Sequence, residues 1–563
     1  MSAAHFSTQR RTLALLLLGL LLWFLPLSSP ALFHPDEGRY GEVPREMLAS
    51  GDWVTPRLDA IKYFEKPPLQ YWTTAAAFAL FGAHEWTVRL WPALTALFGV
   101  VLTWLLARHL YDTATALMAA AIQAGSLLYM AMSRLAVLDM GLCFSLQLAL
   151  TGLMLLVRRR ADRADGVGAQ ADGVSVQPDG AGAPLLLGIG LSLAMLSKGL
   201  IGILIPAAVA AIYMLCFRDW SLPWRARPWW AIGALALIAA PWFVLVAARN
   251  PEFTRFFFVH EHFERFLTRV HRRYEPAWFF VPVLAMGLLP WATLLPYAVR
   301  NAWRDARRGD RGAGLLLIWS GFIFAFFSAS QSKLIPYILP IVPALALLLA
   351  RALRQLDGVR AARHLRAVAA GALLLAIVLA LLPWVPAASN LLERASRASC
   401  LGFALALSAL ALCALGAAIL HGRGRGAGAV VTAAIGAYLF CQIGFAAAAY
   451  LPQQRAIAQF VPQARMLLTA STPIYCVQTY IQPLTFYLRR PCTLVDYRGE
   501  LDFGLQQEPW RAIADLQGFA ARWSAGPDAL AIVDPEALAR LAALGVRMRV
   551  IYTSPSFVAV VRQ

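Results

Sequence analysis

The chain has 563 residues, is 59% hydrophobic, and carries a formal net charge of +19. Apolar runs of the roughly 18–20 residues that suffice to cross a bilayer recur as far as about residue 450, which excludes a soluble enzyme. The basic excess does not point to nucleic acid, because the arginines cluster in alternate loops, as membrane insertion by the positive-inside rule requires.

Taken in order, the hydrophobic pattern predicts thirteen spans: 12–30, 86–107, 113–132, 136–157, 184–197, 199–217, 229–248, 277–299, 314–330, 334–350, 367–388, 399–420 and 428–450. The first follows Gln9-Arg10-Arg11 and lacks a small-residue cleavage pattern before His34, so it reads as a retained span and not a signal peptide. With the N-terminus inside, the clusters Arg158 to Arg160, Arg218 to Arg227, Arg300 to Arg311, Arg351 to Arg366 and Arg423 with Arg425 all fall inside. Gly188, Gly190 and Gly199 weaken the short fifth span, where a broken or re-entrant helix is expected. The Gly-, Ala- and Asp-rich stretch 162–184 reads as a flexible inside linker.

Residues 1–450 thus form a membrane domain, with outside loops at 31–85 and 249–276. From 451 to 563 the pattern changes to short strands (473–477, 492–496, 529–533, 546–552, 557–561) alternating with helices (483–490, 535–544), a small α/β domain. An odd number of spans places it outside, which is the periplasm if the source is a Gram-negative bacterium. Cys476 and Cys492 then lie in an oxidising compartment on neighbouring strands, and a disulfide between them is expected.

Charge concentrates in the first outside loop. It opens HPDEGRYGEVPRE and closes IKYFEKPPLQYW, with Asp36, Glu37, Glu42, Glu46, Asp52, Asp59 and Glu65 set among Arg39, Arg45, Arg57 and Lys62. Asp36 and Glu37 after Pro35 suit the first turn of a helix, with Tyr40 one turn beyond Asp36 and Gly38 and Gly41 loosening the turn. Lys62, Lys66, Lys198 and Lys333 are the only lysines, and all four fall at the outside rim. In a chain that otherwise prefers arginine, compact point charges there suit anionic oxygens. Asp139 stands near the outer end of the fourth span, where an ionisable residue is a functional candidate. His260-Glu261-His262 could offer two imidazoles on one face of an extended segment, a minor metal option with Glu65. The turn Ser332-Lys333-Leu-Ile-Pro336-Tyr337 adds a cation and a phenol at the same rim. No Walker loop, dinucleotide fingerprint, HExxH or nucleophile elbow is present. A site facing outward has no nucleotide supply, so its group donor would be lipid-borne.

His34-Pro-Asp36-Glu37-Gly-Arg39-Tyr40, Tyr63-Phe-Glu65-Lys66-Pro67-Pro68, Asp139, Ser197-Lys198-Gly199 and Ser332-Lys333, on this layout, resemble the GT-C membrane glycosyltransferases. Within them the chain is similar to bacterial lipid A aminoarabinose transferases, relatives of protein O-mannosyltransferases. The resemblance implies an α-helical polytopic inner-membrane enzyme with a periplasmic active site. It implies transfer of 4-amino-4-deoxy-L-arabinose from undecaprenyl phosphate to a lipid A phosphate, a modification giving resistance to polymyxin and cationic antimicrobial peptides. On this reading Asp36, Glu37 and Asp139 are catalytic candidates, and Glu65 binds the sugar. Arg39, Tyr40, Tyr63, Lys66, Lys198, Lys333 and Tyr337 hold the donor phosphate and lipid. No cofactor is required; a divalent metal on Glu65, His260 and His262 is the minor option. Two other readings stand beside it. One is the same fold with another polyprenyl-linked sugar or a protein hydroxyl acceptor; the other is a lipid flippase, less favoured because transporters place ionisable groups at the membrane midplane.

Overall fold

The structure is a computed structural model that describes residues 14, 17–164, 181–264, 274–385, 396–497 and 499–563. Eight helices among these are long and apolar enough to cross a membrane: Leu90–Leu110, Leu138–Arg158, Pro228–Arg249, Arg311–Ala329, Ile335–Gln355, Gly358–Trp384, Arg397–Gly422 and Gly426–Ala448. The pair Phe280–Gly287 and Ala292–Arg307 adds a ninth, bent by 114°. The other expected spans correspond to shorter apolar helices: Leu17–Ser28, Thr113–Ala124, Gly182–Lys198 and Ile201–Phe217. The protein is therefore a multi-span helical membrane protein. Leu138–Arg158 and Ile335–Gln355 lie innermost in the bundle, whereas Gly358–Trp384 is largely peripheral.

Two local expectations need correction. The third expected span is broken: Thr113–Ala124 ends at Gly125, and Leu127–Met132 restarts after an extended Ser126. The break is met by the kink in the eighth span, because Leu127 donates its N–H to Leu289 O at 3.2 Å and Trp291 Nε1 donates to Ile122 O at 3.1 Å. Each interrupted helix thus supplies polar partners to the other, which is how non-helical backbone survives in lipid. The fifth span, by contrast, is one unbroken helix. Its glycines serve packing: a Cβ on Gly190 would lie 2.5 Å from Ala149 N, so only glycine admits this helix contact. The linker expected over 162–184 lies largely outside the described residues.

The outside loop 31–85 is folded throughout. Helix Asp36–Ser50 is followed by a hairpin of β1 (Arg57–Leu58) and β2 (Ile61–Lys62), then by helices Leu69–Phe81 and Glu85–Val88. The C-terminal residues begin with helix Pro452–Leu467 and build a six-stranded sheet from β3 (Ile474–Val477), β4 (Thr493–Val495), β5 (Ala512–Ile513), β6 (Leu530–Val533), β7 (Met548–Thr553) and β8 (Val558–Arg562). The spatial order is β5-β4-β3-β6-β8-β7; the first four strands are parallel, and β8 and β7 are antiparallel.

Strand alternation decides how this sheet is used. Tyr475, Val477, Ala531 and Val533 face one way, under Phe519, Trp523, Ala537 and Leu541 of the covering helices. Ile474, Cys476, Leu494, Leu530 and Ile532 face the other way, into a core shared with Tyr40, Val43, Met47, Ile61, Tyr63 and Tyr71 of the first loop. The change of composition at residue 450 is a change of architecture, and the two parts are packed as one body. Cys476 and Cys492 belong to this shared core as free thiols, in place of the expected disulfide. The Cys492 thiol stays beside that of Cys476 and also meets Asp59, with the Cys492 N–H donating to Oδ1 at 2.7 Å and Sγ 3.6 Å from Oδ2.

Candidate active site

Helix Asp36–Ser50 distributes its residues over three surroundings. Gly38 and Gly41 face helix Gln482–Leu488 of the C-terminal part, where a Cβ on Gly38 would lie 2.3 Å from Pro483 N. Gly38 admits a neighbouring backbone and Gly41 the side chains of Phe486 and Val88; both glycines serve packing. Glu37 faces the membrane bundle. Its carboxylate accepts from Arg89 Nε (2.8 Å) and Nη2 (2.6 Å) and from the N–H groups of Phe33 (3.0 Å) and Ala136 (2.9 Å). Arg89 also donates to the carbonyls of Leu27, Pro30 and Ala31, and both partners of the pair are 1% exposed. The structure thus places Glu37 as a buried tie between loop and bundle, away from the lining of the cavity described below.

The third face carries Asp36, Arg39 and Tyr40. Asp36 is half exposed and lies 3.4 Å from Arg39 Nη1. Arg39 is buried, reaches Glu500 Oε2 at 2.5 Å, and sits 5.6 and 6.0 Å from the ring centres of Tyr40 and Tyr63. Burial pushes the phenols of Tyr40 and Tyr63 up despite the pull of Arg39, which keeps both as hydrogen-bond donors. Burial likewise raises the Glu500 carboxyl against the opposing pull of Arg39. The Tyr63 hydroxyl and Arg39 Nε are buried without a hydrogen-bond partner among the described residues.

Beside this group lies a cavity of about 620 Å³. Its polar end is made by Glu65, Lys66, Asp139, Lys198 and Glu261, and its walls by apolar residues such as Leu142, Ile201, Leu204 and Phe326. Lys66 Nζ meets Glu261 Oε2 at 2.8 Å and the Glu65 carbonyl at 2.7 Å. Lys198 Nζ meets Asp139 Oδ1 at 2.5 Å and stands 4.5 Å from the centre of the Tyr337 ring. Tyr337 also lines the cavity. The structure therefore brings Glu65, Lys66, Asp139, Lys198 and Tyr337 to one space, with Asp36, Arg39, Tyr40 and Tyr63 grouped around Arg39. Lys333 stands behind the wall. It is buried, with Nζ donating to the carbonyls of Glu275 (2.9 Å) and Ser330 (2.5 Å), so it ties a turn and is not among the residues that line the cavity.

The segment behind the metal option is helical and not extended. Residues Arg255–Glu264 are helical, because Phe253 and Phe257 pack with Phe64, Trp242 and Phe243. His260 stacks on Phe256 at 5.4 Å, and the His262 side chain lies outside the described residues. Among the described residues no group of three His, Cys, Asp or Glu side chains could hold a metal ion. What this helix brings to the cavity is Glu261, which the histidines on either side overshadow in the sequence. Glu500 gave no local signal, because only the docking of the C-terminal part carries it to Arg39. Arg89 carried one: a charge at the start of an apolar span.

The arrangement offers lysines paired with carboxylates at the head of an apolar throat, a chemistry suited to an amphipathic ligand with charged groups at one end. Two family models match the chain: dolichyl-phosphate-mannose-protein mannosyltransferase over residues 9–257 and the aminoarabinose transferase C-terminal domain over 460–562. The crystal structure of ArnT from Cupriavidus metallidurans bound to undecaprenyl phosphate is 32% identical with a TM-score of 0.87, covering 100% of this chain and 98% of that one. Undecaprenyl phosphate-alpha-4-amino-4-deoxy-L-arabinose arabinosyl transferases of Pseudomonas aeruginosa (strain LESB58) and Edwardsiella ictaluri (strain 93-146) are 38% and 34% identical over 62% of this chain. These two alignments span 60% of the relatives' own length.

Proposed function

The chain belongs to the aminoarabinose transferase family, and from that premise we propose that it moves 4-amino-4-deoxy-L-arabinose from undecaprenyl phosphate to a phosphate of lipid A on the periplasmic face. The carrying observation is a cavity in which Lys66 and Lys198, each held by a carboxylate, stand together at the mouth of an apolar throat. The polyprenyl tail occupies the throat. Its phosphate takes the place of Glu261 or Asp139 as partner to a lysine, through charge-assisted hydrogen bonds of the stronger kind. A carboxylate released in this way is free to hold the ammonium of the aminosugar, beside Glu65.

In the proposed reaction an oxygen of the acceptor phosphate forms a bond to the sugar's anomeric carbon. The bond from that carbon to the donor phosphate breaks, and its electron pair leaves with undecaprenyl phosphate. Lysine cations that stabilise the departing phosphate act where charge develops. The acceptor is already ionised at neutral pH, so no strong base is needed. Asp36, exposed beside Arg39, orients the acceptor or supports positive character at the sugar carbon. No step calls on a cofactor, and chelation with EDTA is expected to leave turnover intact.

The test is mass spectrometry of lipid A from a host deleted for its own transferase and expressing this chain, with Asp36→Asn alongside. One or two added aminopentoses, absent in the variant, support the proposal. No mass gain, with donor lipid and membrane-inserted protein both confirmed, overturns the acceptor and moves the reading to protein hydroxyls.

A further inference from the structure

A second cavity, of about 520 Å³, shares no lining residue with the first. It lies between the end of helix Leu69–Phe81, the start of Glu85–Val88, helix Pro452–Leu467 and helix Gln482–Leu488. Charges of both signs line it: Arg465 and Arg489 as cations, Glu85 as an anion, with His84 beside them. Arg489 closes helix Gln482–Leu488 at a φ of 55°, and its guanidinium makes no hydrogen bond or ion pair among the described residues. Arg465 spends one N–H on the Tyr487 carbonyl at 2.7 Å. The half-buried Glu85 lines the cavity beside Tyr487, whose hydroxyl accepts the Leu32 N–H at 2.8 Å.

The surroundings set the cavity at the membrane surface. Leu80 and Phe81, immediately before its lining residues Ala83 and His84, are 75% and 53% exposed, and Phe81 meets Trp86 at 5.4 Å. Tyr450, just past the last span, is exposed as well. Exposed aromatic residues at span ends mark the level of lipid headgroups. A polar cavity at that level, with cations and a carboxylate among its lining, matches a headgroup carrying both a phosphate and an ammonium.

We propose that this cavity binds the headgroup of a zwitterionic aminophospholipid, its phosphate on Arg465 and Arg489 and its ammonium on Glu85. The site is separate from the transfer cavity and does not depend on the reaction proposed above.

Native mass spectrometry of the delipidated full chain in detergent tests it, with phosphatidylethanolamine, phosphatidylglycerol and soluble phosphoethanolamine as probes. The native chain retains phosphatidylethanolamine over phosphatidylglycerol. Arg465→Gln with Arg489→Gln lowers the phosphatidylethanolamine adduct about tenfold, the loss expected for charge-assisted contacts. Arg489→Gln alone gives a smaller drop and guards against a folding effect at Arg465. Glu85→Gln keeps the adduct but equalises the two lipids. Equal retention of both lipids by the native chain overturns the proposal, as does an undiminished adduct in the double variant. Soluble phosphoethanolamine binding as tightly as the lipid overturns the membrane source.

Discussion

At Glu37 the carboxylate accepts four hydrogen bonds in a buried setting, while the adjoining Asp36 is half exposed and makes one loose contact with Arg39. The two residues therefore fail in different ways. Arg89→Met leaves Glu37 buried without its cation, at an expected cost of about 3–5 kcal/mol, read as a lowered Tm in detergent. Asp36→Asn is expected to leave Tm nearly unchanged and to abolish transfer. Lys66→Ala and Lys198→Ala each remove a phosphate partner; losing a charge-assisted hydrogen bond worth about 1.5–3 kcal/mol predicts a roughly 10- to 150-fold fall in kcat/KM for the donor. At this scale residue types in the sequence pointed to side chains that the structure gathers around one cavity. They could not separate Asp36 from Glu37, or Lys66 from Lys333, because burial and hydrogen-bond partners distinguish them, and distant segments supply those.

Helix Asp36–Ser50 joins the bundle, the cavity and the C-terminal sheet, and Gly38 is its closest approach to another backbone. Gly38→Ala inserts a methyl into space already filled by Pro483 and is expected to cost about 1–3 kcal/mol, the usual range for overpacking. Faster proteolytic release of residues after 450 would show that the cost falls on docking; an unchanged digestion pattern would contradict this account. The long apolar helices were legible from hydropathy alone, as were the buried strands Ile474–Val477 and Leu530–Val533. The break at Gly125 and the 114° kink were not, because each depends on the other helix to satisfy its exposed backbone. Helix Leu69–Phe81 also escaped notice, being too short for a span and hidden in what reads as a loop.

Across the whole molecule, the joint between the first loop and the C-terminal sheet buries acids as well as apolar side chains. Burial pushes the Asp59 carboxyl up to about 7, helped by Glu42 and opposed by Cys492 and Arg45, and burial raises Glu46 as well. A carboxyl raised on folding contributes stability that is fully present below its unfolded pKa and is lost as pH rises through its folded one. The joint is therefore expected to be tightest in acid and to weaken progressively as pH rises to about 7. Asp59→Asn, which retains an acceptor for Cys492 N–H, should flatten that slope in thermal unfolding measured from pH 4 to 8; an unaltered slope would remove Asp59 as its source. The membrane character, the order of hydrophobic segments, the α/β pattern after residue 450 and the acid- and lysine-rich rim were all determined by the sequence itself. Each rests on composition and on periodicity within a short stretch of chain. Only the tertiary structure decided that the sheet shares a core with the first loop, that Glu500 meets Arg39, and that Glu261 stands opposite Lys66. Those outcomes turn on the burial of charges brought together from segments hundreds of residues apart, and no local pattern encodes which carboxylate a buried cation will find.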